Sequence, residues 1–209
     1  QYIMAFPSVY EMTNPLTTLS KQHFWEYFSG STLNSRWSTR SGSVAIQDVV
    51  GGGMRQTTGS SIYDKASIIT WDRQFSPTAN VFITVCKADN DNSSTNVGLG
   101  NDTSGDLRNV SNDNVSVDIT STNTYIRLSS ILSGSSSNET DSTIPCDAEW
   151  HTHKIISTSS DLKLYVDGVL NTTKTSDRPA LKLMPSTFTL TLNGSTATTD
   201  VRYMEAYNT

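Results

Sequence analysis

Hydrophobic and polar residues alternate in short segments along most of this chain, and clusters of Gly, Asn, Asp and Ser separate the segments. A period of two sends one set of side chains to a core and the other to the opposite face, as in a half-buried β-strand. The clusters between the segments are turn signals. The strands predicted in this way are 43–46, 81–87, 115–119, 124–130, 152–156, 161–166, 186–192 and 200–207. Many short strands separated by turns favour a β-sandwich or a barrel.

The segment 161–170 carries the clearest local signal. Leu162, Leu164 and Val166 alternate with polar positions and are followed by Asp167-Gly168. Asp-Gly supplies the two positive-φ positions of a type I′ turn, whose twist matches the strands that it joins. The sequence therefore predicts a β-hairpin that turns at Asp167-Gly168.

Three segments do not alternate. Residues 17–28 are a short, aromatic-rich helix candidate, and 88–114 read as loops around a short strand at 96–100. Residues 1–23 look like an N-terminal arm that carries scattered apolar side chains. Such an arm is too apolar for a disordered tail, so we expect it to pack on its own domain or on a neighbouring copy. The second case would make the protein a homo-oligomer.

Composition excludes several classes of protein. The chain has 209 residues, enough for one domain with a large core, and a net charge of −5. A surface without a basic stripe disfavours nucleic acid as a partner. No run of apolar residues reaches the length of a bilayer span, so no membrane insertion is expected. Cys86 and Cys146 either form one disulfide or stay free, with Cys86 as a buried thiol.

Three segments carry a family resemblance. "FWEYFSGSTLNSRW" (24–37), "VVGGGMRQTTG" (49–59) and "WHTHKIISTSSDLKLYVDGVLNTT" (150–173) resemble, in this order, an opening strand, a following strand and a late hairpin of the concanavalin A-like lectin/glucanase superfamily. That superfamily includes laminin-G-like modules and family 16 glucanases. The resemblance implies an all-β, two-sheet antiparallel jelly-roll sandwich over 24–209, preceded by the arm 1–23. Viral and phage surface proteins contain similar domains behind short arms.

The resemblance to glucanases raises the question of catalysis. Family 16 glucanases carry a Glu-x-Asp-x-Glu strand, because retaining hydrolysis needs two carboxylates about 5 Å apart. Glutamate occurs here at 11, 26, 139, 149 and 205, and no two of these share a strand. We therefore expect a protein that is not an enzyme and that hydrolyses no polysaccharide.

Two segments offer metal ligands. His151 and His153 share one face of a strand, as in some jelly-roll metal sites, but lack the glutamate that would follow them there. The loop 89–106 is rich in oxygen ligands suited to Ca²⁺, yet it lacks the fixed pattern of an EF-hand. We expect no cofactor, with Ca²⁺ as the one ion worth testing.

Exposed aromatic rings beside polar groups are what a glycan-binding sandwich uses. Trp71 with Arg73, and Tyr125 with Arg127, are the candidate ligand-binding residues. The sequence thus predicts a non-catalytic, lectin-like module that binds glycans, located outside the cell or on a virion surface. The alternative is a structural decoration or assembly protein that binds neighbouring surface proteins and no sugar. A polysaccharide-degrading enzyme is the third hypothesis.

Overall fold

The computed structural model describes residues 22–46, 53–70, 74–88, 93–121, 123–134 and 138–209. Within these ranges the chain forms fifteen β-strands and no helix. The strands are β1 (His23–Glu26), β2 (Trp37–Ser41), β3 (Ser43–Ile46), β4 (Met54–Thr57), β5 (Lys65–Thr70), β6 (Asn80–Ala88), β7 (Ser93–Gly100), β8 (Asn114–Thr120), β9 (Tyr125–Ile131), β10 (Asn138–Pro145), β11 (His151–Ser157), β12 (Leu162–Val166), β13 (Val169–Lys174), β14 (Met184–Thr191) and β15 (Thr198–Asn208). Nothing in the described ranges has the helical length and hydrophobicity that a bilayer-spanning segment requires.

The strands form two antiparallel sheets. Sheet A has the order β13-β12-β11-β6-β15-β4-β3, with β1 also paired to β15, and sheet B has the order β10-β9-β8-β7-β14-β5-β2. The predicted all-β, two-sheet antiparallel sandwich is confirmed. The helix candidate at 17–28 is wrong, because the described part of that segment contains strand β1. Of the arm 1–23, residues 1–21 lie outside the described ranges.

The core lies between the sheets and is built by the alternating positions. In β12, Leu162, Leu164 and Val166 are buried while the residues between them are partly exposed. Sheet B supplies the facing apolar side chains, among them Val117 and Leu128, which are fully buried. The period of two read from the sequence therefore marks the inner face of the sandwich.

The hairpin that joins β12 to β13 forms as predicted. Asp167 and Gly168 have φ values of 50° and 83°, and Val166 pairs with Val169 across the turn. Both central residues thus have the positive φ of a type I′ turn, and glycine takes the second of these positions without steric cost.

Sheet B is buried on both of its faces around β7 and β8. Every residue of these two strands is buried, although the outward positions carry small polar side chains such as Ser94, Asn96 and Ser116. The segment 101–113 packs on this outer face, where Leu107 is buried and Arg108 donates a hydrogen bond to Ser94 Oγ at 2.6 Å. The predicted loop region 88–114 therefore contains a complete central strand and the segment that covers it.

The two cysteines are free thiols, so the structure has no disulfide between Cys86 and Cys146. Cys86 lies on the inner face of β6 in sheet A, and Cys146 follows β10 in sheet B. Burial raises the pKa of Cys86 to about 12 and that of Cys146 to about 11. Both thiols are therefore protonated near neutral pH and unreactive.

Candidate functional site

Three carboxylates and one arginine meet on the outer face of sheet B. The strand register aligns Asp118 on β8 with Arg127 on β9, and Arg127 with Asp141 on β10. Glu139 lies two residues before Asp141 on the same face of β10. Their side chains point away from the core because the residues between them alternate inward. We call Asp118, Arg127, Glu139 and Asp141 the carboxylate cluster.

Arg127 holds two of these carboxylates. Its Nε donates to Asp141 Oδ1 at 2.5 Å, and its Nη1 donates to Glu139 Oε2 at 2.8 Å. Burial acts to lower the pKa of Arg127, but the hydrogen bonds to Asp141 and Glu139 outweigh it and the pKa is raised. The side chains of Glu139 and Asp141 are 29% and 54% exposed, so a ligand can reach the cluster from the β10 side.

Asp118 lies in a different environment, because its side chain is almost completely buried. Burial raises its pKa to about 6, the charge on Glu139 adds to the rise, and the hydrogen bond from Thr120 and the nearby charges of Arg108 and Arg127 oppose it. Asn123 Nδ2 donates to its second oxygen at 3.2 Å. Asp118 is thus a carboxyl that carries a proton at mildly acidic pH.

The segment that covers sheet B contributes to this environment. The hydroxyl oxygens of Thr120 and Ser94 lie 3.0 Å apart; because Thr120 uses its one proton on Asp118, Ser94 donates to Thr120 and accepts a hydrogen bond from Arg108 at 2.6 Å. Asp118 therefore belongs to a polar network that extends from β8 to Arg108, and this network fixes the orientation of its carboxyl group.

A pair of carboxyl groups whose surroundings separate their proton affinities can divide the roles of acid and base. Asp118 is buried and carries a proton below about pH 6, whereas Glu139 and Asp141 form ion pairs with Arg127. The arrangement can donate a proton from one side and supply an anionic oxygen from the other. These are the two functions that hydrolysis of a glycosidic bond requires.

The structure places only part of the ligand site that the sequence predicts. Tyr125 and Arg127 lie on the same outer face of β9, and Tyr125 is 39% exposed. Arg127, however, is held by two carboxylates. Trp71 and Arg73 lie outside the described residues. Glycan binding by these four residues stays a prediction.

Sequence reasoning missed Asp118, Glu139 and Asp141 because it searched for glutamates that share a strand. The signal was present in Glu139-Thr140-Asp141, where a spacing of two puts both carboxylates on one face of a strand. Asp118 also occupied a polar position of a predicted strand. Its proximity to Glu139 depends on the pairing of β8, β9 and β10, which the sequence does not show.

The metal candidates do not assemble a site within the described ranges, where no group of three or more His, Cys, Asp or Glu side chains could hold an ion. His151 instead contacts Asp167 at 2.7 Å and Asp147 at 3.1 Å. His153 is fully buried. Residues 89–92 of the Ca²⁺ candidate loop lie outside the described residues.

Comparison with known proteins identifies the fold. No family model and no curated protein matches the sequence. Among solved structures, the laminarinase catalytic domain of Thermotoga maritima is similar with a TM-score of 0.67 and 10% identity, covering 91% of this chain and 99% of that one. The endo-β-1,3-glucanase of Pyrococcus furiosus has a TM-score of 0.67 and 14% identity, covering 88% and 93%. The β-glucanase of Bacillus licheniformis has a TM-score of 0.64 and 14% identity, covering 90% and 98%.

The described strands therefore form a two-sheet jelly-roll sandwich with the same fold as these solved structures, which is the fold that the resemblance implied. These structural neighbours are glucan-degrading enzymes, which contradicts the expectations of a non-catalytic lectin-like module and of a protein that is not an enzyme. Those expectations were wrong because they rested on one missing single-strand motif. The comparisons give no support to a viral or phage origin or to a place on a virion.

Proposed function

We propose that this protein is a glycoside hydrolase that cleaves a polysaccharide at the carboxylate cluster. The observation that carries the proposal is Asp118, a buried carboxyl with its pKa raised to about 6, electrostatically coupled to Glu139. The fold supports the reaction class, because similar structures are β-glucanases and laminarinases. β-Glucans are accordingly the first substrates to test, and an enzyme that degrades them would act outside the cell.

The proposed roles follow from the surroundings of each group. Asp118 is the general acid that protonates the oxygen of the leaving sugar, since it still carries a proton at mildly acidic pH. Glu139 is the anionic partner that attacks the anomeric carbon or activates a water molecule. Arg127 is a positioning residue, because it fixes Glu139 and Asp141 by direct hydrogen bonds. These roles need only side chains of this chain.

The test is reducing-end release from laminarin and from mixed-linkage β-1,3-1,4-glucan. Asp118→Asn and Glu139→Gln should each lower kcat/KM by about 100-fold or more, the usual contribution of a general acid or base. Asp200→Asn is the matched control, because Asp200 also forms an ion pair with an arginine, Arg55, at 2.7 Å but on sheet A. Its kcat/KM should stay close to that of the wild type.

The pH dependence of kcat/KM provides a second test of the same proposal. Because the acid must be protonated, kcat/KM of the wild type should fall about tenfold per pH unit above about pH 6, where Asp118 loses its proton. A folded wild-type protein that releases no reducing ends, or an Asp118→Asn variant with unchanged activity, would refute the proposal.

A further inference from the structure

The outer face of sheet A carries a cluster of aromatic side chains on two neighbouring strands. The register of β1 and β15 aligns His23 with Tyr207 and Trp25 with Glu205. One step further along, the ring of Tyr27 packs on that of Tyr203, with 4.8 Å between their centroids. These three cross-strand pairs form the aromatic ladder, which consists of His23, Trp25, Tyr27, Tyr203, Glu205 and Tyr207.

The ladder is exposed because its residues alternate with buried ones. Phe24, Met204 and Ala206 point into the core and are essentially inaccessible, which forces their neighbours outward. Trp25 is 49% exposed and Tyr27 is 61% exposed. Large aromatic side chains that are this accessible on adjacent strands indicate a surface that binds a ligand or a partner molecule.

Glu205 places a fixed carboxylate among these rings. Its Oε1 lies 2.7 Å from His23 Nε2, and its Oε2 accepts a hydrogen bond from the Tyr203 hydroxyl at 2.6 Å. Burial and this hydrogen bond raise the pKa of Tyr203, so its hydroxyl keeps the proton that it donates. A carboxylate oxygen has two acceptor sites, so each oxygen of Glu205 can accept one more hydrogen bond.

We propose that the aromatic ladder binds a chain of a neutral polysaccharide, on the opposite side of the sandwich from the carboxylate cluster. Sugar rings present C–H faces that stack on aromatic rings and hydroxyl groups that donate to a carboxylate. Alternate residues of a strand recur about every 6.7 Å, so the three pairs extend over about 13 Å and follow a linear polymer rather than a single sugar. The identity of the polymer as a β-glucan rests on the proposed function.

The negative charge of Glu205 favours a neutral polysaccharide over an apolar protein partner or a polyanion. An apolar protein partner would bury Glu205, whose side chain is 20% exposed, without supplying donors, and such desolvation is costly. A polyanion would meet a carboxylate on a protein with a net charge of −5. A neutral, hydroxyl-rich chain satisfies both the rings and the carboxylate.

Affinity electrophoresis in native gels that contain laminarin or mixed-linkage β-glucan tests the proposal. The wild type should be retarded by at least one polymer, and the double variant Trp25→Ala/Tyr27→Ala should raise the apparent Kd at least tenfold. Tyr63→Ala is the matched control, because Tyr63 is 68% exposed but lies outside the ladder. Melting curves of each variant establish that it is folded.

Binding of the polysaccharide to the aromatic ladder should not depend on catalysis. Asp118→Asn should be retarded like the wild type, and Trp25→Ala/Tyr27→Ala should keep the wild-type rate on short soluble oligosaccharides. Retardation without hydrolysis would refute the proposed function alone. Hydrolysis without retardation, or retardation of the double variant equal to that of the wild type, would refute the proposal that the aromatic ladder binds a polysaccharide. A dimer in sedimentation that the double variant converts to a monomer, with no retardation of the wild type, would assign the surface to a second copy.

Discussion

His153 and His151 lie two residues apart on β11 but have different proton affinities. His153 is fully buried, and neither of its ring nitrogens has a hydrogen-bond partner among the residues that the structure describes. Burial, reinforced by the proximity of His151, lowers its pKa to about 3. For His151, burial acts in the same direction, but the hydrogen bonds to Asp167 and Asp147 outweigh it and the pKa is raised. One strand thus carries a neutral histidine and a readily protonated one.

This difference predicts the pH dependence of stability. An unfolded histidine titrates near pH 6.5, so below that pH the unfolded chain binds a proton that folded His153 does not take up until about pH 3. The contribution of His153 to stability therefore falls as the pH decreases through this window, by about 2 kcal/mol between pH 7 and pH 5. His153→Leu should remove that loss, as measured by urea unfolding at both pH values.

His151→Gln is the control of opposite sign. Because the folded pKa of His151 is raised, its contribution to stability is present at low pH and disappears as the pH rises. Its replacement should make the loss between pH 7 and pH 5 larger. If His153→Leu shows the same pH dependence as the wild type, the buried ring is not the cause.

At the level of the strands, β7 and β8 approach each other closely at Gly98. A Cβ at this position would lie 2.2 Å from the carbonyl oxygen of Val115 and 2.6 Å from Cα of Ser116. Both contacts are with backbone atoms, which cannot move without disturbing the hydrogen bonds between the strands. Glycine is therefore required at Gly98 for packing, in the centre of sheet B.

Gly98→Ala should accordingly lower the free energy of unfolding by about 1–3 kcal/mol or more, the cost of overpacking a core. In a domain of this size each kcal/mol lowers Tm by about 2–4 °C. Gly100→Ala is the matched comparison on the same strand, because its nearest contact is the flexible end of the Leu107 side chain at 2.6 Å. A larger Tm decrease for Gly100→Ala than for Gly98→Ala would contradict this account.

The strands that could be read from the sequence are those whose apolar and polar residues alternate, such as β11 and β12, and also β8, whose outward polar side chains are buried. Strand β5 has the sequence KASIIT, with two adjacent isoleucines and no alternation, and β10 carries few apolar residues. Their existence depends on the neighbouring strands. For the same reason the sequence did not predict that Asp118 and Glu139 lie close together. Their proximity depends on the register of β8, β9 and β10.

At the level of the whole molecule, the described fold starts at β1, which contributes the buried Phe24 to the core. We propose that the arm, residues 1–23, mediates association between copies. A chain that begins at Lys21 keeps β1 and the core intact, so it should melt within a few degrees of the full chain. It should elute from a sizing column as a smaller species than the full chain does.

Two results with the truncated chain would contradict association through the arm. A truncated chain that unfolds while the full chain is a stable monomer would show that the arm completes the core of its own domain. Equal elution and equal melting of the two chains would show that the arm mediates no association.

The strand order also has a consequence for biosynthesis. Strand β15 lies between β6 and β4 in sheet A, and β14 lies between β7 and β5 in sheet B. In each sheet an interior strand is therefore synthesised after the strands on both sides of it. Until then β4, β5, β6 and β7 each lack one of their two neighbouring strands, and unpaired strand edges promote aggregation. Neither sheet has its full pairing before β14 and β15 have been synthesised, so this domain completes its fold only after these two strands have left the ribosome.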